Sequence, residues 1–196
     1  MTNTFFKGWG YQSFGEHQGQ RDMEHRFDVM KLPKSFEEKT VIDIGCNIGV
    51  TCIESKKRGA KRVVGIDYRD KNIDIANQIA KEHNFEIEYY KFDVNDGLDE
   101  LKSIIGDEKF DYTFVLSVWG WVDKQKLANI INYYTTKFCW IEGHGKNGVL
   151  PNWEYEDTKD NMKLKFDKFL NYQEVTYLGD TTDSPGGKRH NFKLKF

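Results

Sequence analysis

The chain has 196 residues, of which 38% are hydrophobic and 31% are charged. This composition fits one globular domain with a substantial core, and it excludes disordered and fibrous proteins. The net charge of −2 excludes a general electrostatic attraction to nucleic acid or to anionic lipid.

The first residues of the sequence and the cysteines indicate the expected cellular location of the protein. The leader MTNTFFKGWG lacks the apolar segment of a signal peptide, and no apolar run approaches the roughly 18 residues that span a bilayer. The three cysteines, Cys46, Cys52 and Cys139, form no CxxC pair, which argues against a disulfide framework and against a zinc site. We therefore expect a cytoplasmic protein with no membrane association and no metal centre.

Residues 1–38 differ from the rest of the chain. An aromatic and glycine-rich lead is followed by a short amphipathic helix that carries Met23, Phe27 and Met30 on one side. We expect this segment to cap the carboxyl edge of a sheet formed by the residues that follow.

From residue 39 onward, the hydrophobic pattern alternates between the period of a strand and the period of a helix. Strands are predicted at residues 40–44, 62–66, 87–92, 112–116 and 138–141. Apolar stripes with helical spacing lie between them, and Gly59 is well placed to end the first of these helices. This alternation predicts a doubly wound α/β sheet whose strands are mostly parallel.

Residues 146–196 depart from this alternation. A helix is predicted at residues 157–170, and strand-like runs at 173–178 and 190–196 flank the turn sequence SPGG. The last two strands should therefore form an antiparallel hairpin. We expect residues 1–196 to form a single domain in which residues 39–145 are the core.

The loop after the first strand, GCNIG at residues 45–49, lies where open α/β sheets bind their ligands. Its glycines do not have the G-x-G-x-x-G spacing that binds a pyrophosphate, and no Lys-Ser or Lys-Thr completes a P-loop. Asp43 precedes the loop by two residues, and its carboxylate would repel a diphosphate and favour an ammonium or a sulfonium. The alternative is an aspartate that only caps the turn.

Three further strand ends carry groups suited to an adenosyl ligand. Asp67 follows Gly45 by 22 residues, the spacing at which an acid reaches ribose hydroxyl groups. Asp93 follows the third strand, where a carboxylate can accept a hydrogen bond from an adenine amino group. Backbone carbonyl groups at Ser117 and Val118, which end the fourth strand, can hold an amino acid. Together these groups describe an adenosine joined to a cationic amino acid.

The segments VIDIGCNIG, GAKRVVGID, KFDVND and FDYTFVLSVWGWVD resemble the successive motifs of the class I S-adenosylmethionine-dependent methyltransferases, in the correct order over about residues 40–145. The resemblance implies a Rossmann-like sheet of seven strands in the order 3-2-1-4-5-7-6, with S-adenosylmethionine as the cofactor. The contacts that it implies are Asp43, Gly45, Cys46, Asn47 and Gly49 around the methionine moiety, Asp67 and Tyr68 at the ribose, Asp93 and Val94 at the adenine, and Ser117 and Val118 at the amino acid end.

Within this family, part of the pattern is similar to the transfer RNA wobble-uridine carboxymethyltransferases. The fourth-strand motif reads VWGW here, where those enzymes carry a Leu-Tyr-His sequence. This difference argues against the specific activity of those enzymes here. Whether the transferred group is methyl or carboxymethyl stays open, because a carboxymethyl donor would use the same loops with one extra cationic contact.

The N-terminal segment supplies further candidates for the cofactor site. Arg21 is a candidate partner for the carboxylate of the cofactor through a bidentate contact. Tyr11 and Gln12 are candidates to close over the methionine moiety. The alternatives are an ordinary surface position for Arg21, and packing or turn roles for the other two.

The sequence EGHG at residues 142–145 follows the fifth strand, beside the expected transfer site. We assign Glu142 and His144 as candidate catalytic residues, with His144 as a base or as a ligand of the acceptor, because an imidazole titrates near neutral pH. Trp119 and Trp121 are candidates to stack on a planar acceptor. The alternatives are a loop histidine without a catalytic role and core packing for one of the tryptophans.

These features predict an enzyme that methylates an oxygen or nitrogen atom, most simply of a small molecule, because the near-neutral charge does not favour RNA. Three alternatives remain at this stage. They are an enzyme that modifies transfer RNA, a non-catalytic module that binds S-adenosylmethionine, and a nucleotide-dependent oxidoreductase. The glycine spacing and Asp43 disfavour the last of these.

Overall fold

One mixed sheet runs through the computed structural model, which describes residues 11–14, 19, 21–143, 158–182 and 188–196. Its strands are β1 (Thr40–Ile44), β2 (Arg62–Asp67), β3 (Glu88–Lys91), β4 (Phe110–Leu116), β5 (Thr135–Glu142), β6 (Glu174–Thr182) and β7 (Lys188–Lys195). The strand order is β3-β2-β1-β4-β5-β7-β6. Strands β1 to β5 are parallel, and β7 is antiparallel to both β5 and β6.

Helices alternate with the parallel strands, as the change of hydrophobic period predicts. Within the described residues they are α1 (Met23–Met30), α2 (Val50–Lys57), α3 (Asp70–Glu82), a short 3-10 helix (Val94–Asp96), α4 (Leu98–Ile105), α5 (Lys124–Tyr134) and α6 (Lys159–Phe169). The side chain of Asp123 caps α5 by accepting a hydrogen bond from Lys126 N at 2.9 Å. Gly59 follows α2 with φ +92°, a left-handed conformation that ends the helix as expected.

The sheet is buried on both faces. Val41 of β1 packs among residues of α1, α2 and α3, whereas its neighbour Ile42 packs among residues of α4, α5 and α6. Successive side chains of a strand point to opposite faces, so an apolar run such as β1 is required where helices cover both sides. The Rossmann-like, doubly wound fold predicted from the sequence, including its strand order, is confirmed.

Helix α1 packs against β6 and β7. It buries Met23, Phe27 and Met30, the three residues expected on its apolar side. The indole of Trp140 in β5 donates a hydrogen bond to Met30 O at 3.0 Å, which fixes the last turn of α1 on the face of the sheet. The first turn of α1 lies at the carboxyl edge, because Arg26 contacts Ser117 at the end of β4.

The last strands are longer than their apolar residues indicate. β6 continues to Thr182 and β7 begins at Lys188, whereas the sequence predicts the ranges 173–178 and 190–196. Backbone pairing extends the hairpin through Thr181 and Arg189, which face each other in the ladder. Polar residues can occupy such positions because the ladder is formed by main-chain groups.

No helix in the described part of the chain is both long enough and apolar enough to cross a membrane.

Candidate functional site

A cavity of about 590 Å³ opens at the carboxyl ends of β1 to β4. β1 is the point at which the strand order reverses, because β2 and β4 flank it. Ligands of open α/β sheets bind at such a point. The cavity is lined by Tyr11, Gly45, Asn47, Asp67, Tyr68, Arg69, Asn72, Phe92, Asp93, Val94, Asn95, Leu116, Ser117, Val118, Trp121, Val122 and Arg189.

Four of the five backbone amides in the loop after β1, residues 45–49, are occupied by the chain itself. Gly45 N and Cys46 N donate to Ile66 O at 2.8 and 2.9 Å, and Asn47 N donates to Asp67 Oδ2 at 3.0 Å. Gly49 N donates to Cys46 O at 2.9 Å. A pyrophosphate site needs such amides to point at the ligand, so this loop does not offer the phosphate cradle of a dinucleotide-binding protein.

The loop adopts left-handed backbone at the cavity. Gly45 and Asn47 both have positive φ, +79° and +53°. A Cβ added to Gly45 would lie 2.3 Å from Val118 Cγ2, so only glycine allows the loop to approach the end of β4. Ser117, on the same wall, has φ +64°. Non-glycine residues in this conformation cost about 1–3 kcal/mol and cluster at binding and catalytic sites.

Asp67 connects the loop, the end of β2 and α3. Its Oδ1 accepts hydrogen bonds from Arg69 N at 2.9 Å and from Asn72 Nδ2 at 3.0 Å, and its Oδ2 accepts the bond from Asn47 N. A carboxylate has roughly four acceptor positions, so one position remains for a donor in the cavity. Asn72 Oδ1 has no hydrogen-bond partner within the described residues and lies on the same side of the cavity.

Asp93 and Val94 line the cavity beyond β3. Asp93 Oδ1 accepts a hydrogen bond from Asn95 N at 2.9 Å and so caps the short 3-10 helix. This cap holds the carboxylate at the wall while its second oxygen, Oδ2, remains to accept from a ligand.

Asp43 lies beneath the loop and not on the cavity wall. It is 1% exposed, and Cys52 Sγ of α2 contacts its Oδ2 at 3.7 Å. Burial raises the pKa of Asp43 to about 7, although the nearby Arg26 acts in the opposite direction. This position corrects the expectation that the Asp43 carboxylate faces the ligand, because the side chain is packed between β1 and α2.

Glu142 is the centre of a buried ionic cluster. Both of its carboxylate oxygens are occupied: Arg21 and Thr181 donate to Oε1, and Arg26 and Ser117 donate to Oε2. Burial acts to raise the pKa of Glu142, but Arg26 and Arg21 outweigh it and lower this pKa to about 2. Both oxygens of the carboxylate are therefore engaged, and its lowered pKa favours the charged form. This corrects the expectation of a catalytic role for Glu142, since it has no lone pair available for a proton from a substrate.

Arg21 belongs to the same cluster. It is 1% exposed and is not among the residues that line the cavity, so it does not present a bidentate fork to a ligand there. This corrects the expectation that Arg21 binds the carboxylate of the cofactor. Arg21 instead donates from Nη2 to Thr181 Oγ1 at 3.1 Å and forms a buried ion pair with Glu142. Burial and the neighbouring Arg26 lower the pKa of Arg21.

The other predicted residues divide between the cavity wall and the core. Tyr11, Tyr68, Val118 and Trp121 lie on the wall, and Trp121 is 59% exposed. The residues that are packed away from the wall are Gln12, Cys46, Gly49 and Trp119.

The packing of these residues explains their positions. Trp119 is fully buried and meets the ring of Phe166 edge-on at 5.7 Å, so it cannot stack on an acceptor. Cys46 is 0% exposed, and burial raises the pKa of its thiol. A Cβ on Gly49 would lie 2.2 Å from the Tyr89 hydroxyl, so this glycine serves packing. His144 lies outside the described residues.

Several residues on the wall were not singled out from the sequence. Four of them lie within the motifs quoted above, namely Phe92, Asn95, Leu116 and Val122, and two, Arg69 and Asn72, lie just after the motif GAKRVVGID. Arg189 is different, since it comes from β7, far away in the sequence. The predicted antiparallel hairpin was the available signal, because the first residues of its second strand must lie at the carboxyl edge.

Comparison with known proteins agrees with this geometry. A family model described as "Methyltransferase domain" matches residues 35–141, which is more than half of the chain. The chain belongs to the class I S-adenosylmethionine-dependent methyltransferases. S-adenosylmethionine is the cofactor of this methyltransferase. The site residues fit such a group, because the wall offers carboxylates to an adenosyl cation and no amide cradle to a diphosphate.

Individual relatives match this methyltransferase over part of their length. Protein arginine N-methyltransferase 1 of Dictyostelium discoideum is 33% identical over 81 residues, which are 39% of this chain and 24% of that protein. The ribosomal protein L11 methyltransferase of Dictyoglomus turgidum is 35% identical over 69 residues, 35% of this chain and 23% of that protein. The chain spans no more than about a third of the length of the curated relatives that it matches.

A solved structure extends the similarity of the fold to nearly the whole chain. Magnesium protoporphyrin IX methyltransferase from Synechocystis PCC 6803 with bound SAH superposes with a TM-score of 0.64 at 13% identity. The superposition covers 97% of this chain and 91% of that protein.

Proposed function

We propose that this methyltransferase binds S-adenosylmethionine in the cavity at the ends of β1 to β4 and transfers the methyl group to an oxygen or nitrogen atom of a small molecule. The observation that carries the proposal is the wall itself: Asp67 and Asp93 present carboxylates, while the amides of Gly45, Cys46, Asn47 and Gly49 bond to the chain. This arrangement favours a cationic adenosyl ligand over a dinucleotide.

Each part of the wall has a role in this proposal. The remaining acceptor position of Asp67 receives a ribose hydroxyl group, and Asp93 Oδ2 receives the adenine amino group. Tyr11 and Ser117 hold the amino acid end. When it is bound, S-adenosylmethionine supplies a methyl group that positively charged sulfur makes electrophilic. The chain aligns this group with the acceptor and excludes water, and alignment alone can contribute up to about 7–11 kcal/mol in ideal cases.

The acceptor enters on the side of Trp121 and Val122, which line the same cavity. A small molecule is supported by the similarity in fold, over nearly the full length of both chains, to an enzyme whose name describes a porphyrin acceptor. The two relatives that act on proteins match little more than a third of this chain. His144 remains our candidate for a base or an acceptor ligand.

We further infer that residues 1–196 act as one methyltransferase domain. The single sheet that spans residues 40–195 supports this inference. In this domain, residues 1–38 cover the site, residues 39–145 bind the cofactor, and residues 146–196 complete the acceptor side. The three cysteines are free thiols, which supports a reducing cytoplasm.

Titration with S-adenosylhomocysteine tests the proposal. Wild type should bind it, and Asp67→Ala should bind it roughly 10- to 100-fold more weakly, because a hydrogen bond to a charged group contributes about 1.5–3 kcal/mol. Asp70→Asn is the matched control, since Asp70 is exposed, pairs with Lys91 and is absent from the wall. Equal binding by wild type and Asp67→Ala would remove the basis of the assignment.

A further inference from the structure

Asn72 is joined to Asp67 on the wall of the cavity. It is the third residue of α3, is 2% exposed and lines the cavity together with Asp67, which ends β2. Its Nδ2 donates to Asp67 Oδ1 at 3.0 Å. Because a carboxylate oxygen accepts hydrogen bonds, this contact decides which end of the Asn72 amide points at Asp67.

The chain itself takes three of the acceptor positions of Asp67. Arg69 N and Asn72 Nδ2 donate to Oδ1, and Asn47 N donates to Oδ2. A carboxylate has roughly four such positions, two on each oxygen, so Oδ1 is filled and Oδ2 can accept one further donor. A ribose at this acid can therefore donate only one of its two hydroxyl groups to Asp67.

The other end of the Asn72 amide is an acceptor without a donor. Asn72 Oδ1 is buried and has no hydrogen-bond partner among the described residues. Such an atom costs free energy while it stays unpaired, and a donor that arrives with a ligand removes that cost. Oδ1 and Nδ2 share one carbon atom, so the bond from Nδ2 to Asp67 also holds Oδ1 close to the carboxylate.

We propose that Asn72 is a specificity residue for the cofactor and that the ribose diol is divided between two side chains. One hydroxyl group donates to Asp67 Oδ2 and the other donates to Asn72 Oδ1. This inference rests on the proposed function, which assigns the ribose to Asp67. It differs from recognition of the whole diol by one carboxylate, because the chain's own donors fill Asp67 Oδ1. The pair of residues selects ribose over either monodeoxy sugar.

Three ligands show how each hydroxyl group is recognised. They are S-adenosylhomocysteine and its 2′-deoxy and 3′-deoxy analogues. Wild type should bind one analogue roughly 10-fold or more weakly than S-adenosylhomocysteine, because it lacks a hydrogen bond to a carboxylate. It should bind the other analogue several-fold more weakly, because a buried amide oxygen is then left unpaired.

Variants of Asn72 identify the second acceptor. In Asn72→Leu, which has a side chain of similar size without polar atoms, the penalty for one analogue should disappear. The other analogue should still bind several-fold more weakly than S-adenosylhomocysteine. Asn72→Ala should give the same pattern, and it keeps the test usable if the leucine variant does not fold, which thermal unfolding reveals. The ratios between ligands are compared, since a general loss of affinity or stability cancels in them.

Asn132→Ala is the matched control. Asn132 is also an asparagine within a helix, α5, and both ends of its amide are bonded. Its Nδ2 donates to Phe169 O at 3.0 Å, and its Oδ1 accepts from Asn171 N at 2.9 Å. It is not a residue of the cavity wall, so its loss should leave both ratios at their wild-type values.

Four results would overturn the inference while the proposed function stands. The first is a wild type that binds S-adenosylhomocysteine and is indifferent to the loss of one hydroxyl group. The second is an equal loss of affinity for all three ligands in the Asn72 variants, which would mean a structural role alone. The third is the disappearance of both penalties in these variants, since Asn72 would then only orient Asp67. The fourth is a change of the ratios in Asn132→Ala.

Failure of the proposed function gives a different result. A wild type that binds none of the three ligands would refute the proposed function, and this inference with it.

Discussion

Asp43 carries a carboxyl group whose charge depends on the fold. Burial raises its pKa from 3.8 to about 7, so the folded protein keeps a proton that the unfolded chain has already lost between these values. The stabilisation that this bound proton gives the folded protein is fully present below pH 3.8 and is lost as the pH rises through about 7. We predict that the free energy of unfolding of wild type falls relative to Asp43→Asn over this interval, with a slope approaching about 1.4 kcal/mol per pH unit.

Urea denaturation of both proteins from about pH 4 to about pH 8 measures this difference. Subtraction of the Asp43→Asn curve cancels the titration of every other group. The exposed Asp70, changed to asparagine, serves as the control and should follow the wild-type curve. Parallel curves for wild type and Asp43→Asn would show that the buried carboxyl does not titrate near neutral pH.

The candidate site residues also show what local sequence can and cannot predict. Asp67 is the last residue of β2 and Asp93 comes two residues after β3. The carboxyl ends of parallel strands meet at one edge, so the place of both acids on the cavity wall could be expected. Asp43 lies within β1, where alternate side chains point to opposite faces. The direction of the Asp43 side chain depends on how α2 packs against β1, and the sequence of the loop alone does not reveal this packing.

At the scale of secondary-structure elements, Glu142 connects α1 to the sheet. It joins Arg21 and Arg26 of the N-terminal segment to β4 through Ser117 and to β6 through Thr181. Removing one partner of a buried ion pair leaves the other charge without compensation and costs about 3–5 kcal/mol. We therefore predict that Glu142→Gln lowers the free energy of unfolding by that amount.

Glu88→Gln provides a matched control for this prediction. Glu88 also pairs with arginine, through a bidentate contact with Arg62, but its side chain is 39% exposed. Exposed pairs contribute less than about 1 kcal/mol, so this variant should remain close to wild type in a denaturant titration. Similar losses for the two variants would mean that the Glu142 cluster does not hold α1 on the sheet.

The elements themselves were predictable to different extents. The five parallel strands carry apolar residues on both faces of the sheet, and this pattern predicts where the strands lie in the sequence. β6 is an edge strand with mostly half-exposed residues, so its apolar pattern ends before its backbone pairing does. The pairing to β7 decided the length of the hairpin and brought Arg189 to the cavity.

At the scale of the whole molecule, charge bears on the class of acceptor. A net charge of −2 provides no long-range attraction to RNA. We predict that S-adenosylmethionine labelled in its methyl group, incubated with the protein and a cell extract, transfers label to the small-molecule fraction. Asp67→Ala should transfer little label, which controls for enzymes of the extract. Label confined to the RNA or protein fraction would contradict a small-molecule acceptor.

The sequence by itself determined the fold class, the strand order through the family motifs, and the acids at the carboxyl ends of β2 and β3, because these features repeat with short, fixed spacing. Only the tertiary structure decided that Glu142 is bound to Arg21 and Arg26, that Trp119 belongs to the core, and that Arg189 reaches the cavity. The physical reason is distance along the chain. Arg21 and Glu142 are 121 residues apart, and their contact exists only after the sheet has formed and the N-terminal segment has packed against it.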